Sequence, residues 1–474
     1  VHEVRIDALD LERLAGILPP DRAEALRCRA VEAAQQLSGR VVWNINATAQ
    51  GGGVAELLQV LLAYGRGAGV DTRWLVLDGD PGFFTVTKRL HNFLHGSFGD
   101  GGDLDAEARA HYEEVLAHNL RDALDRVRPG DIVLLHDPQA AGLVDGLTAH
   151  GALVAWRCHI GRDEPHELSE IGWSFLRPYV EGAQEFVFSR RQYAPAWVPP
   201  ERLRVVPPSL DPFSAKNAEI SGRDVRSSLL VAGLMADGSD GAGPAFERRR
   251  GEPGRVRPRA SLMLDGPPVP EGARVVLQVS RWDRLKDMPG VLRGFTDHLG
   301  RLPEDAHLVL AGPDVAGVAD DPEGAAVLAQ CRDLRAALPD RMRERVHLTA
   351  LPMDDVDENA HLVNALQRHA SVVVQKSLVE GFGLTVTEPM WKSRPVVASA
   401  VGGILDQVED GVSGLLLPDP LDLEAFAIAV DSLLRDPERA RRLGHAAHER
   451  VLDRFLGDRH LIQYAEMFAE MIGG

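Results

Sequence analysis

Short apolar, β-branched runs recur along the chain between stretches whose apolar positions follow a helical period. In the first half they are Val41–Trp43, Trp74–Leu77, Ile132–Leu135, Leu153–Trp156, Phe186–Phe188 and Leu203–Val206. In the second they are Val275–Val279, Leu308–Ala311, Val346–Thr349, Val372–Gln375 and Val396–Ala398. Continuously apolar strands separated by helices predict parallel sheets covered on both faces. The two halves therefore read as two doubly wound, Rossmann-like α/β domains, residues 1–217 and 271–457. Between them the rhythm stops. Residues 218–270, dense in Gly, Pro and charge, read as a linker or insertion, a lid or disordered in part. A last helical pattern, with Leu461, Tyr464, Ala465 and Phe468 on one face, predicts that 458–474 packs back on the first domain.

A length of 474 residues fits more than one core. The net charge of −18 argues against nucleic acid as a partner. The basic cluster of Arg248, Arg249, Arg250, Arg255, Arg257 and Arg259 reads as a solvated loop. No apolar stretch is long enough for a membrane helix. The acidic start, VHEVRIDALDLERL, is unlike a secretory signal, and Cys28, Cys158 and Cys331 form neither a disulfide framework nor a zinc site. We expect a cytoplasmic protein. The chain has five lysines against 47 arginines, and Lys88, Lys286 and Lys376 fall inside the motif regions that follow.

In open parallel sheets ligands bind beyond the carboxyl ends of the strands, and the unusual residues of this chain gather there. Two such loaded edges imply a cleft between the domains. Gly51, Gly52 and Gly53 precede a helix with Val54, Leu57, Leu58 and Leu61 on one face, and read as an anion site or a plain turn. In VSRWDRLKD, Arg281 and Lys286 leave a strand end, where they would neutralise a diphosphate or sit on a loop of mixed charge. QKSLVEGFGLTVTEPMWKSRPVVASAVGG contains an E-x7-E pair, Glu380 and Glu388. Its Gly381 and Gly383 permit a tight turn that aims amides at a ligand before a helix beginning near Leu384.

These three anchors, in this order, resemble the retaining GT-B glycosyltransferases, the family that includes glycogen, sucrose and trehalose synthases. The resemblance covers most of the chain outside 218–270. It implies the GT-B fold, a nucleotide-sugar donor held mainly by the second domain and an acceptor held mainly by the first. Carried over, Arg281 and Lys286 stabilise the diphosphate leaving group, and Glu388 binds the ribose hydroxyls. Glu380 contacts the sugar hydroxyls, and the backbone from Gly381 through Phe382, Gly383 and Leu384 to Thr385 holds the sugar and distal phosphate. His159 corresponds to the histidine beside the anomeric centre.

WNINATAQGGGVAELLQ, GDPGFFTVTKRLHNFLHG, HDPQAAGL, WRCHIG and VPPSLDPFSAKN are similar to the trehalose glycosyltransferring synthases. That implies a nucleoside diphosphate glucose as co-substrate, glucose as acceptor, trehalose as product and a reversible reaction. Trehalose phosphorylases share much of the pattern and remain an alternative, as does a retaining transferase with another sugar acceptor. A silent sugar-binding protein is the rival from another class; it would have lost the histidine or a motif glutamate, and neither is missing.

On the acceptor side we name Asp80, Lys88, Asn92, Asp137 and Gln139. Lys88, His91 and Asn92 either line the acceptor pocket or form a solvated helix face. His136 and Asp137 either bind acceptor hydroxyls or cap a strand end. Asp78 and Asp80 resemble a metal-binding DxD, but their place in the first domain favours acceptor positioning or a turn. No metal is expected to be essential. The expected partners are small molecules, with a homodimer left open and neither nucleic acid nor membrane involved.

Overall fold

A computed structural model describes residues 1–49, 53–236, 243–248, 251–258, 263–315 and 322–473. Gly51 and Gly52 lie outside the described residues, as do Arg249, Arg250 and Arg259. The chain divides into two units, Val1–Leu210 with Phe455–Gly474, and Asp211–Arg454.

The first unit carries seven strands: β1 (His2–Val4), β2 (Val42–Asn46), β3 (Thr72–Val76), β4 (Ile132–His136), β5 (Leu153–Cys158), β6 (Glu185–Phe188) and β7 (Leu203–Val205). Their order is β1-β3-β2-β4-β5-β6-β7. β1 runs antiparallel to β3, and the other pairings are parallel. Side chains of both parities are buried because helices cover both faces. Trp43, Val133, Val154 and Phe186 belong to one core, and Val42, Leu134, Ala155 and Val187 to the other. The helix Gly457–Gly473 closes the second of these with Phe468 and Met471.

The second unit carries β8 (Ala245–Glu247), β9 (Pro253–Arg255), β10 (Met263–Asp265), β11 (Arg274–Val279), β12 (Ala306–Pro313), β13 (Val346–Leu351), β14 (Val372–Gln375), β15 (Val396–Ser399) and β16 (Leu415–Leu417). Its main sheet runs β10-β13-β12-β11-β14-β15-β16, parallel except for β10, and β8 and β9 form a separate hairpin. Each main sheet reverses its order of winding once, next to β2 in the first unit and next to β11 in the second. That leaves a crevice between β2 and β4, and another between β11 and β14.

Residues 218–270 need a correction. The segment includes a helix (Gly222–Val231), the β8–β9 hairpin and the edge strand β10, and it falls within the second unit. Arg248 and Arg257 are held in ion pairs, although Arg257 remains half exposed. Arg248 makes two 2.7 Å bonds to the carboxylate of Asp355, and Arg257 donates through its backbone N–H (2.7 Å) and Nε (2.8 Å) to the fully buried carboxylate of Glu358. Phe246 stacks on His361 at 4.8 Å. The helix buries Val225, Leu229 and Leu230 in a core of the second unit and the hairpin adds Phe246, while the ion pairs hold the Gly- and Pro-rich stretch whose composition reads as loop.

Candidate donor and acceptor sites

In the second unit, β11 ends at Val279 and the chain turns through Ser280 and Arg281 into a short 3-10 turn, Arg284–Lys286. Asp287 follows in the left-handed region (φ 48°) and caps the next helix through Gly290 N–H. From β14, across the crevice, comes Gln375 and then the loop to Glu380. The switch in strand order therefore brings together residues about a hundred positions apart: Lys286 Nζ donates to Glu380 Oε2 at 2.5 Å. Ser377 Oγ donates to the same oxygen at 3.2 Å, and Leu378 N–H donates to Leu285 O at 2.8 Å. Arg281 is well exposed and lies 3.2 Å from Asp283.

Gly383 has φ 89°, which a side chain rarely adopts. It caps the helix Leu384–Trp391 without a side-chain bond. A Cβ on Gly403 would come 2.5 Å from Phe382 Cα, so the turn Gly381–Gly383 sits tight against a second glycine. The buried Thr385 hydroxyl, on the first turn, has no hydrogen-bond partner among the described residues. Amides at a helix start that no carbonyl of the helix engages, the Thr385 hydroxyl and a nearby ammonium form a cradle suited to an anion with hydroxyl groups.

Glu388 lies on that helix and is buried. Gln367 Nε2 donates to it at 3.3 Å, and Lys216 Nζ stands 3.5 Å away. Lys392 lies on the same side, bonded to Asn217 Oδ1 (3.0 Å) and Gln367 Oε1 (2.5 Å), and burial pushes its ammonium down to about 7. Lys216, Asn217, Gln367 and Lys392 were not singled out from the sequence. The signal was the rarity of lysine: four of the five, Lys216, Lys286, Lys376 and Lys392, surround these two glutamates and Asp287.

In the first unit the crevice between β2 and β4 holds a linked polar set. His136 Nε2 lies 3.0 Å from Asn44 Oδ1, and His136 Nδ1 lies 3.1 Å from His159 Nε2. The His159 backbone N–H donates to Asp137 Oδ1 at 2.7 Å. Asp137 has φ 62°, and a non-glycine residue in that region costs ~1–3 kcal/mol, a strain that concentrates at functional sites. Burial raises its carboxyl to about 7, lowers His136 to about 3 and holds His159 well below the usual histidine value. This network draws in both His136 and Asp137, beyond a simple strand cap. Gln139 is half-buried in the short helix Asp137–Ala140.

Asp80 caps the helix Pro81–Leu94 through Phe83 N–H (2.8 Å) and contacts His111 Nε2 (2.8 Å). Asp78 binds elsewhere, its backbone to the Asn119 amide. Lys88 is exposed on that helix and Asn92 half-buried. Gly53 opens the helix Gly53–Gly67. No group of three or more His, Cys, Asp or Glu is placed to hold a metal ion among the described residues.

Two family models match the chain: the trehalose synthase N-terminal domain over residues 44–195, and glycosyl transferases group 1 over residues 265–450. The trehalose synthase of Rubrobacter xylanophilus is 35% identical over 447 residues, 93% of each chain. The chain belongs to the trehalose synthase family of glycosyltransferases. The Thermococcus litoralis trehalose synthase is 32% identical over 458 residues, 96% of each chain. A trehalose phosphorylase of Pleurotus pulmonarius is 26% identical over 86% of this chain and 54% of its own length. Among solved structures, sucrose-phosphate synthase from Thermosynechococcus elongatus matches with TM-score 0.62 at 17% identity, covering 92% of this chain and 99% of its own. An E. coli trehalose-6-phosphate protein bound with UDP-2-fluoro glucose matches with TM-score 0.66 at 13% identity, over 91% and 99%. The fold of this family member is GT-B, with parallel sheets in both units. No described helix is long and apolar enough to cross a membrane.

Proposed function

We propose that this enzyme transfers glucose, with retention, from a nucleoside diphosphate glucose to free glucose, releasing the nucleoside diphosphate and forming trehalose reversibly. The observation that carries the proposal is the 2.5 Å Lys286–Glu380 pair beside the Gly381–Gly383 turn at the β11/β14 switch point. Breaking the sugar–diphosphate bond puts negative charge on the leaving group, and fixed cations and amides stabilise it without reorganising. On this reading Lys286, Arg281 and the amides before Leu384 receive the diphosphate. Glu380 takes sugar hydroxyls and Glu388 the ribose. The first unit binds the acceptor through Asp137 and its neighbours and supplies His159. An acceptor hydroxyl on the leaving group's face preserves the anomeric configuration. The E-x7-E pair is not a glycosidase acid and nucleophile, since Glu388 is committed to the ribose.

The test is product analysis with a panel of nucleoside diphosphate glucoses and glucose, reading the α,α linkage by NMR. Failure of every donor to yield a disaccharide overturns the proposal. Similarity to the trehalose phosphorylase favours a second reading, in which phosphate takes the place of the nucleoside diphosphate; trehalose incubated with phosphate alone would then release glucose and glucose 1-phosphate. We also propose that activity persists in excess chelator, because Lys286, Arg281 and the amides already supply positive potential. Loss of activity rescued by magnesium or manganese would refute that.

A further inference from the structure

Arg157 stands on β5 two residues before His159 and is fully buried. Its Nε donates to the His159 ring, 3.0 Å from Nε2 and 3.3 Å from Nδ1, and its Nη2 donates to Val206 O at 2.9 Å. Its Nη1 donates to the hydroxyl of Tyr464, from the C-terminal helix Gly457–Gly473. The Tyr464 ring centre also lies 5.7 Å from the guanidinium carbon. Among the described residues no carboxylate comes within ion-pair distance of Arg157. Burying a cation against neutral acceptors is costly, yet the fold keeps this one against the histidine of the first unit's polar set.

We infer that Arg157 and Tyr464 are positioning residues for His159: through them the C-terminal helix sets the orientation and electrostatic surroundings of that ring. The inference rests on the reading that places His159 at the reacting sugar. A guanidinium only donates, and both His159 ring nitrogens lie within reach of its Nε, so the contact favours a ring that keeps a free lone pair there over a doubly protonated one. The fork reaches its three acceptors from three separate nitrogens, a spread that the single nitrogen of an ammonium lacks. The groups facing His159 are Arg157 from β5, His136 and Asp137 from β4 and its end, and His460 and Tyr464 from the C-terminal helix. His460 is buried with its Nδ1 3.0 Å from Ser209 Oγ, and burial and Arg157 both keep it unprotonated. Among the charged groups, Arg157 is the one that opposes a proton on His159, adding to burial.

The test uses the full chain with Tyr464→Phe, Arg157→Lys and Arg157→Gln, reading kcat, donor KM, the pH profile of kcat, and NMR titration of 13C-labelled His159. Tyr464→Phe and Arg157→Lys should lower kcat by about 10–100-fold with donor KM nearly unchanged and no new acid limb, as misplacing a reacting group does. Arg157→Gln should add an acid limb and bring the His159 titration up toward the ordinary value of about 6.5. If Arg157→Gln does not fold, the other two variants decide. Unchanged kcat in both, or losses that vanish when thermal stability is matched, overturns the inference while an inactive His159→Ala keeps the underlying reading. A fully active His159→Ala overturns the reading itself.

Discussion

Lys286→Met removes the ammonium and keeps most of the aliphatic stem, so it separates charge from packing at the proposed donor site. The Lys286 side chain is 16% exposed and that of Glu380 9%. Breaking one side of a fully buried pair costs ~3–5 kcal/mol. Here both groups retain some solvent, and Ser377 keeps its bond to Glu380, so the expected stability loss is about 1–2 kcal/mol. Loss of a positioned stabiliser of leaving-group charge lowers turnover about 10²–10³-fold, or ~2.7–4 kcal/mol of transition-state energy. The kinetic effect should therefore exceed the thermal one. The assay is steady-state kinetics with nucleoside diphosphate glucose and glucose, beside thermal unfolding of the same samples. A tenfold or smaller loss of kcat, restored by cooling, would show that Lys286 only clamps the Glu380 loop. Glu380→Gln supplies the control: coupling confined to stability in the double mutant would point the same way.

Glu388→Gln should weaken binding of the free nucleoside diphosphate, because a carboxylate accepts ribose hydroxyl bonds more strongly than an amide; unchanged affinity by calorimetry removes it from that role. Arg257→Ala leaves the buried Glu358 with the backbone N–H but without the half-exposed guanidinium, and should cost about 1–2 kcal/mol. Limited proteolysis should then cut within 243–258 first, and an unchanged digest refutes the anchoring described for that segment. Acid should destabilise the second unit, where burial holds His347 and His361 down at about 4. Both values lie below the unfolded 6.5, so as pH falls through 6.5 toward 4 the unfolded chain takes up protons that the fold refuses. Between pH 7.5 and 5 each histidine withdraws about 2 kcal/mol. A thermal midpoint that holds steady or rises over that interval would contradict the sign.

The sequence by itself determined the eleven parallel strands, because buried strands need continuous apolar runs and those runs stand out against the helices between them. It also marked the glycine turn and E-x7-E pair at Glu380–Glu388 and the stretch around His159. The short edge strands β1, β10 and β16 were not read, whereas β7, an edge strand of the same length, was, because its apolar run continues to Val206. Nor was the docking of 218–270 legible, which rests on its helix packing into the second unit's core and on Arg248 and Arg257 finding carboxylates a hundred residues away. Only the tertiary structure decided that Lys286 meets Glu380, that Lys216 and Lys392 gather around Glu388, and that Tyr464 reaches Arg157. Apart from Lys392 and Glu388, four residues apart at the end of one helix, these contacts join strand ends or helices distant in sequence. Their partners are chosen by strand order and helix placement, which a one-dimensional pattern of apolar and polar positions does not encode.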